Sequence, residues 1–203
     1  MTFWSSLTLG VIAALVGTYF QHSLWKQRRR EEIREYELRE VIEIVKMISE
    51  LFGKRIYAQR EFFEKVDTGS ASPNDYEKVS SAVGEWISNF YFIRAQLNRY
   101  FGHEISYQFE YQLHKTLHDS FAFSKRTYRY GFENLSTKDK QEHQEIRSLH
   151  LVAAREISNL LNEINLRIDI SDFGTEQQTN NIEIGHLPRL ENIFLIQRLF
   201  NTR

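Results

Sequence analysis

Residues 3–30 read FWSSLTLGVIAALVGTYFQHSLWKQRRR, and the first eighteen of them carry no charge. A helix of about 20 apolar residues is long enough to cross the hydrocarbon core of a bilayer. Trp4 and Trp25 flank this run, and at about 1.5 Å rise per residue they lie about 31 Å apart along a helix. Tryptophan favours both membrane interfaces, so each of the two would sit at one of them. The sequence therefore predicts a single transmembrane anchor over residues 1–25.

Positive charge follows the apolar run at once, and no charged side chain precedes it. The cations are Lys26, Arg28, Arg29 and Arg30. Because positively charged flanks stay in the cytoplasm, we expect the N-terminus outside and the C-terminal domain inside the cell. A cleavable signal peptide carries its charge before the apolar run. We therefore expect a retained anchor, with both tryptophans and the cations at the lipid interfaces. A buried core helix is the competing interpretation.

Small or mildly polar residues recur every three or four positions in the apolar run, so they share one face of the predicted helix. They are Ser6, Gly10, Ala13, Ala14, Gly17 and Gln21. In lipid, small residues let helices approach closely, and hydroxyl or amide groups hydrogen-bond between helices. The stripe predicts a homo-oligomer. Three interpretations stay open, namely small residues at these positions by chance, simple dimerisation of the helix, and a larger homo-oligomer whose stripe lines a central pore.

Composition limits what the rest of the chain can be. Of the 203 residues, 41% are apolar and 14% are aromatic, and proline occurs only twice. This is enough apolar surface for a buried core, and scarce helix breakers permit long helices. The chain has no cysteine, which excludes disulfides, thiolate metal sites and cysteine nucleophiles. The net charge of −1 gives no overall preference for nucleic acid.

Apolar residues recur with helical spacing throughout residues 26–170. The pattern predicts four long helices joined by short loops, at about residues 28–66, 73–101, 104–130 and 136–168. Ser72 followed by Pro73 is typical of a helix start, and Ser136 with Asp139 resembles a capping box. We therefore predict an all-α fold, in which an N-terminal transmembrane helix continues into a cytosolic helical bundle.

Residues 171–203 form a segment of a different kind. A polar linker rich in glutamine, asparagine and threonine comes first, and Ile182 and Ile184 within it suit a short strand. A short amphipathic helix is predicted from about Pro188 onwards. Its apolar side would pack on its own bundle, on a neighbouring protomer, on a partner or on the lipid surface.

Helical bundles often hold metals, and the histidines of this chain are candidate ligands. Glu110, His114 and His118 follow one another at intervals of four on one predicted helix. A di-metal bundle needs Glu-x-x-His on two helices and a glutamate on each of the others. The sequence lacks that pattern, the HExxH zinc signature and a glycine-rich phosphate loop. We therefore expect no metal, no cofactor and no enzymatic activity.

One segment mixes cations with flat rings: residues 121–132 read FAFSKRTYRYGF. Its candidate ligand-binding residues are Lys125, Arg126, Tyr128, Arg129 and Tyr130, and a second basic patch contains Arg94 and Arg99. Cations pair with phosphates and aromatic rings stack on bases, which suits a nucleotide or a short single-stranded nucleic acid. The competing interpretation is a helix end, where cations favour the negative dipole and rings fill the core.

Residues 10–45, GVIAALVGTYFQHSLWKQRRREEIREYELREVIEIV, join an anchor, a burst of arginines and a charged helix. In this layout the chain resembles bacterial membrane-anchored anti-phage effectors, most of all the channel effector of Hailong systems. It is less similar to the membrane effectors of type III CRISPR systems. The resemblance implies an oligomeric inner-membrane ion channel. A nucleotide or oligonucleotide bound to its cytosolic domain would gate it, and opening would depolarise the infected cell. The alternative is a membrane-anchored adaptor that recruits a cytosolic partner protein.

Overall fold

The computed structural model describes the backbone of residues 3–174 and the side chains of residues 14–174. All regular secondary structure in that part of the chain is helical, so the predicted all-α class is confirmed there. The strand expected at Ile182 and Ile184 and the amphipathic helix expected from Pro188 lie outside the described residues.

The helices follow one another through short connections. Their bounds are α1 Phe3–Asp67, α2 Pro73–Phe101, α3 His103–Tyr107, a π-helix Gln108–His114, α4 Lys115–Tyr130, a 3-10 turn Phe132–Asn134 and α5 Thr137–Asp169. The predicted second and fourth helices agree with α2 and α5 to within one residue. The predicted third helix, residues 104–130, is helical throughout, but the π-helix divides it into α3 and α4.

Side-chain caps fix the starts of two helices. The Ser72 hydroxyl accepts a hydrogen bond from the backbone N–H of Asp75 at 3.3 Å, and the Ser72 N–H donates to the Asp75 carboxylate at 2.9 Å. Pro73 then takes the first helical position, where its missing N–H is not needed. At the start of α5 the Ser136 hydroxyl accepts from the Asp139 N–H at 3.1 Å. Both predicted helix starts are confirmed.

The chain divides into two units, Met1–Ile42 and Glu43–Arg203. In the first unit every side chain from residue 14 to residue 36 is exposed. The exposed fraction is 66% for Leu15, 72% for Tyr19 and 60% for Trp25. Within the part of the chain that the structure describes, no helix combines the length and the apolar character needed to cross a membrane.

The second unit has an apolar core to which α2 contributes one continuous face. The buried residues of that face are Val79, Val83, Trp86, Phe90, Ile93 and Leu97, at spacings of three and four. The α2 helix packs against α3, and α4 packs against α5. Burying each large apolar side chain contributes about 1.5–3 kcal/mol. This packing holds the rings of Trp86 and Phe90 in fixed positions beside α1 and the π-helix.

Candidate anion-binding cavity

A cavity of about 320 Å³ lies among α1, α2, the end of the π-helix and α4. It is lined by Arg55, Val83, Ile87, Phe90, Tyr91, His114, His118, Phe121, Ala122 and Lys125. None of these residues is acidic, whereas two are cations and two are histidines. The lining is otherwise apolar or aromatic. Such a cavity suits a small ligand that carries negative charge.

Arg55 is the unusual member of this lining. It lies on the inward face of α1, three residues after Phe52 and four before Gln59, and its exposed fraction is 1%. Its Nε and Nη1 atoms have no hydrogen-bond partner among the described residues. Burial lowers the pKa of Arg55 to about 10. The guanidinium therefore stays charged at neutral pH, although it is almost completely removed from water.

A contact with the Trp86 ring replaces part of the hydration energy that the Arg55 guanidinium loses on burial. Arg55 Cζ lies 5.4 Å from the centroid of the Trp86 ring. A desolvated cation–π contact contributes about 2 kcal/mol, whereas removing an unpaired ion from water costs several kcal/mol. Buried polar atoms are normally hydrogen-bonded, so two guanidinium nitrogens without a partner among the described residues call for an explanation. A negatively charged ligand would supply the missing partner.

His114 adds a hydrogen-bond donor with a defined tautomer. The Trp86 indole N–H donates to Nδ1 of His114 at 2.9 Å. Burial, with the charges of Arg55 and His118, lowers the pKa of His114 to about 4, so the ring is neutral at pH 7. Because an indole only donates, Nδ1 must accept and the single ring proton lies on Nε2. The ring of Phe90 packs 4.1 Å from that of His114, centroid to centroid.

The rim of the cavity is exposed and carries a second cation. Lys125 is half-buried, and its Nζ lies 6.0 Å from the ring centroids of Phe121 and Tyr76. His118 is exposed and accompanied by Asp119, whose carboxylate lies 3.2 Å from His118 Nδ1. Tyr91 is 72% exposed, and its ring packs edge-to-face against that of Phe90 with the centroids 5.3 Å apart. A ligand would therefore meet cations and rings together at this rim.

The structure separates the candidate residues of the segment 121–132. Of the five candidate ligand-binding residues in this segment, only Lys125 lines the cavity. Arg126 forms ion pairs on the surface, at 2.7 Å with Asp139 and 3.0 Å with Glu142. Tyr128 stacks on Tyr76 with the ring centroids 5.5 Å apart.

The last two of the five candidate residues, Arg129 and Tyr130, are exposed. Because successive residues of a helix point in directions about 100° apart, the five candidate residues occupy several faces of α4. They do not form one continuous binding surface.

The second basic patch is also divided. Arg94 lines a separate cavity of about 430 Å³ that includes Tyr91 and His103. Its Nε atom lies 2.8 Å from the Glu110 carboxylate, an ion pair in which the N–H is not aligned for a hydrogen bond. Arg99 is exposed, with its guanidinium 5.2 Å from the Tyr100 ring centroid. Arg94 already has an anionic partner, so this cavity favours an added anion less than the one at Arg55.

The histidine row considered for metal binding does not come together. Glu110 pairs with Arg94, His114 bonds with Trp86, and His118 lies beside Asp119. A π-helix adds a residue to the turn, so it breaks the interval of four that would place these side chains on one face. Among the described residues, no group of histidine, aspartate and glutamate side chains is placed to hold a metal ion.

The predicted packing stripe and membrane interface fall partly within the described residues. The side chains of Trp4, Ser6, Gly10 and Ala13 lie outside them. The predicted stripe and interface residues whose side chains are described are all exposed on α1: Ala14, Gly17, Gln21, Trp25, Lys26, Arg28, Arg29 and Arg30. Trp25 stacks on His22 with the ring centroids 6.2 Å apart. A side chain added at Gly17 would meet nothing within 4 Å.

Comparison with known proteins adds no relative. No family model, no curated protein and no solved structure matches the chain. The resemblance to anti-phage effectors therefore stays a prediction. The interpretation of the cavity depends on its own geometry and charge.

Proposed function

We propose that the chain is a membrane-anchored effector that self-associates and is controlled by an anionic ligand bound to its helical domain. The observation that carries the proposal is the exposed apolar start of α1. Leu15, Val16, Phe20 and Leu24 have exposed fractions between 48% and 66%. Exposing apolar surface to water costs about 25 cal/mol per Å², so this segment needs lipid or another apolar surface.

The charges that follow favour lipid as that surface. Lys26, Arg28, Arg29 and Arg30 are all exposed and directly succeed the apolar segment. Cations in this position interact with anionic headgroups and fix the orientation of a membrane segment. We therefore place the chain in a bacterial inner membrane, with its N-terminus outside and its C-terminal domain in the cytoplasm.

Self-association would follow from the small-residue face of the same segment. Ala14, Gly17 and Gln21 are exposed on α1, and the space beside Gly17 is open. Small residues permit close approach of a second helix in lipid, and Gln21 supplies a hydrogen bond between copies. We propose that several copies surround an ion-conducting pore. Its opening would depolarise the cell as a defence against phage.

The ligand would be a nucleotide or short oligonucleotide, as the resemblance implies. Two guanidinium nitrogens of Arg55 have no partner among the described residues, which supports an anion, and the exposed ring of Tyr91 supports a base. Arg55 and the apolar start both belong to α1. Whether the ligand opens or closes the pore is set by which state binds it more tightly.

Membrane potential tests this proposal directly. Full-length protein is induced in a bacterium, and a potential-sensitive dye is followed with and without phage infection. We expect depolarisation with the wild type, its loss with Gly17→Leu, and its retention with Gly53→Leu. Gly53 is the matched control, because it is also exposed on α1 and a side chain added there meets nothing within 4 Å. An unchanged potential under both conditions would reject the channel.

An adaptor is the second candidate function, favoured by exposed aromatic rings on the helical domain. Tyr107 and Tyr111 stack with their centroids 4.5 Å apart and are 46% and 52% exposed. Exposed tyrosines are enriched where proteins bind one another. The test is whether the double change Tyr107→Ser and Tyr111→Ser releases a co-purifying protein that the control Tyr57→Ser retains. Such a release, together with a membrane potential that never changes, would favour the adaptor over the channel.

A further inference from the structure

Among the described residues, Arg55 has no acidic partner, and the side chains that line its cavity include none. Arg55 as a whole is 1% exposed, and its Nε and Nη1 atoms have no hydrogen-bond partner among those residues. An arginine fork pairs most favourably with the planar or tetrahedral oxygens of a carboxylate or phosphate. An anion that reached Arg55 would form this pair away from water, where it is strongest.

The rest of the lining selects the body of the ligand. Phe90 and Phe121 contribute apolar rings, and Tyr91 adds an exposed ring at the rim. Such rings stack on the face of a planar heterocycle whatever hydrogen-bonding groups the heterocycle carries. A volume of about 320 Å³ lies at the small end of ligand cavities. The space holds one ring system and its anionic group, but not a folded nucleic acid.

We infer that the cavity at Arg55 binds a planar ring joined to a phosphate, of the size of a nucleoside monophosphate. Arg55 would pair with the phosphate and Lys125 would approach it from the rim. The neutral His114 would donate from Nε2 to a phosphate or ring oxygen. The inference gives the ligand part of the proposed function a particular site. It requires neither a pore nor a membrane location.

A third cavity is less suited to an anion than the one at Arg55. It measures about 270 Å³ and is lined by Arg60, Phe63, Glu64, Arg147, His150 and Leu151. His150 Nε2 is buried there without a partner among the described residues. However, Glu64 adds negative charge to the lining, and Arg147 already lies 3.3 Å from the Asp67 carboxylate.

Trp86 supplies an internal reporter of binding. It is one of three tryptophans in the chain, contacts the Arg55 guanidinium and hydrogen-bonds to His114. With Trp4→Phe and Trp25→Phe introduced, the emission of the full-length protein in detergent comes from Trp86 alone. Charge placed beside the indole should shift or quench that emission.

The experiment titrates this protein with AMP, GMP, CMP and UMP, and with adenosine and inorganic phosphate in separate arms. We expect at least one nucleotide to change the Trp86 emission saturably. The same nucleotide should bind at least tenfold more weakly to Arg55→Met and severalfold more weakly to Lys125→Met, and equally well to Arg60→Met. Adenosine and inorganic phosphate should each bind at least tenfold more weakly than the nucleotide, since each lacks one half of the ligand.

Three results would overturn the inference. The first is no saturable response to any of the four nucleotides up to about 10 mM, which is tenfold above a millimolar Kd. The second is equal affinity of Arg55→Met and the wild type for the nucleotide, and the third is equal affinity of the wild type for adenosine and the nucleotide. Circular dichroism confirms that each variant is folded. A failed depolarisation experiment leaves these outcomes unaffected, because the readout is binding. Conversely, failure to bind nucleotide would leave the membrane anchor and its self-association to be judged by membrane potential.

Discussion

Replacing Arg55 with methionine is expected to stabilise the ligand-free protein. Burial moves the pKa of Arg55 from an ordinary value of 12.5 to about 10. At about 1.4 kcal/mol per pKa unit, this corresponds to about 3 kcal/mol of unfavourable free energy. Loss of the cation–π contact with Trp86 removes about 2 kcal/mol of favourable free energy. Methionine nearly fills the same volume, so the free energy of unfolding should rise by about 1 kcal/mol.

The sign of the effect holds across the neutral pH range. Arg55 is a base whose pKa is lower in the folded than in the unfolded protein. The penalty is therefore complete at any pH below about 10, where both states are charged, and it fades only as the pH rises above that value. Measurements at pH 7 and pH 8 should give the same difference between Arg55→Met and the wild type.

Thermal unfolding of the full-length protein in detergent, followed by circular dichroism after dialysis, measures this difference. For a chain of this size we expect Tm to rise by about 2–4 °C. Arg60→Met is the matched control: Arg60 is exposed on the same helix and makes, among the described residues, only a long hydrogen bond, 3.5 Å to the His150 carbonyl, so its change should stay within about 0.5 kcal/mol. A fall of several degrees with Arg55→Met would refute the reasoning, because it would show that favourable interactions hold the guanidinium.

Three further predictions concern the helical domain. Burial, with the charge of Arg60, lowers the pKa of His150 to about 4. The folded protein therefore loses stability as the pH falls from about 6.5 towards 4, because the unfolded chain binds the proton more readily. In urea titrations, His150→Phe should reduce the stability lost between pH 7 and pH 5 by about 2 kcal/mol. Ser72→Ala should lower the free energy of unfolding by about 1 kcal/mol through loss of the cap, and an equal effect of Ser70→Ala would contradict this origin. His143 bonds to Thr127 at 2.9 Å and to Asp67 at 3.2 Å, so His143→Leu should lower the unfolding free energy by about 2 kcal/mol, with exposed His103→Leu nearly neutral.

Local signals predicted the helices well because they act over a few residues. Ser72 and Pro73 begin α2, and Gly102, with φ of 81°, takes a conformation that favours glycine where α2 ends. The spacing of Val79, Val83 and Trp86 identifies the buried face of α2. Each of these signals depends only on neighbours along the chain. The helix bounds could therefore be predicted without tertiary contacts.

The π-helix and the cavity could not be predicted in this way. Residues 108–114 have the same helical pattern as their neighbours, so the sequence does not mark the extra residue in that turn. Arg55 is a cation, and a periodicity argument assigns cations to the surface. The available signal was its register, since it follows Phe52 by three residues on a row of buried positions. Only the approach of Trp86 and His114 from other helices gives that register a functional meaning.

The attachment of the apolar start of α1 to lipid is the central claim, and alkaline extraction of membranes tests it most directly. Membranes from cells that express the full-length protein are washed at high pH and centrifuged, and the protein is quantified in both fractions. We predict that nearly all of it stays in the pellet. Leu15→Arg with Val16→Arg, which places charge in the apolar segment, should move it to the supernatant. Release of the unaltered protein would contradict the account.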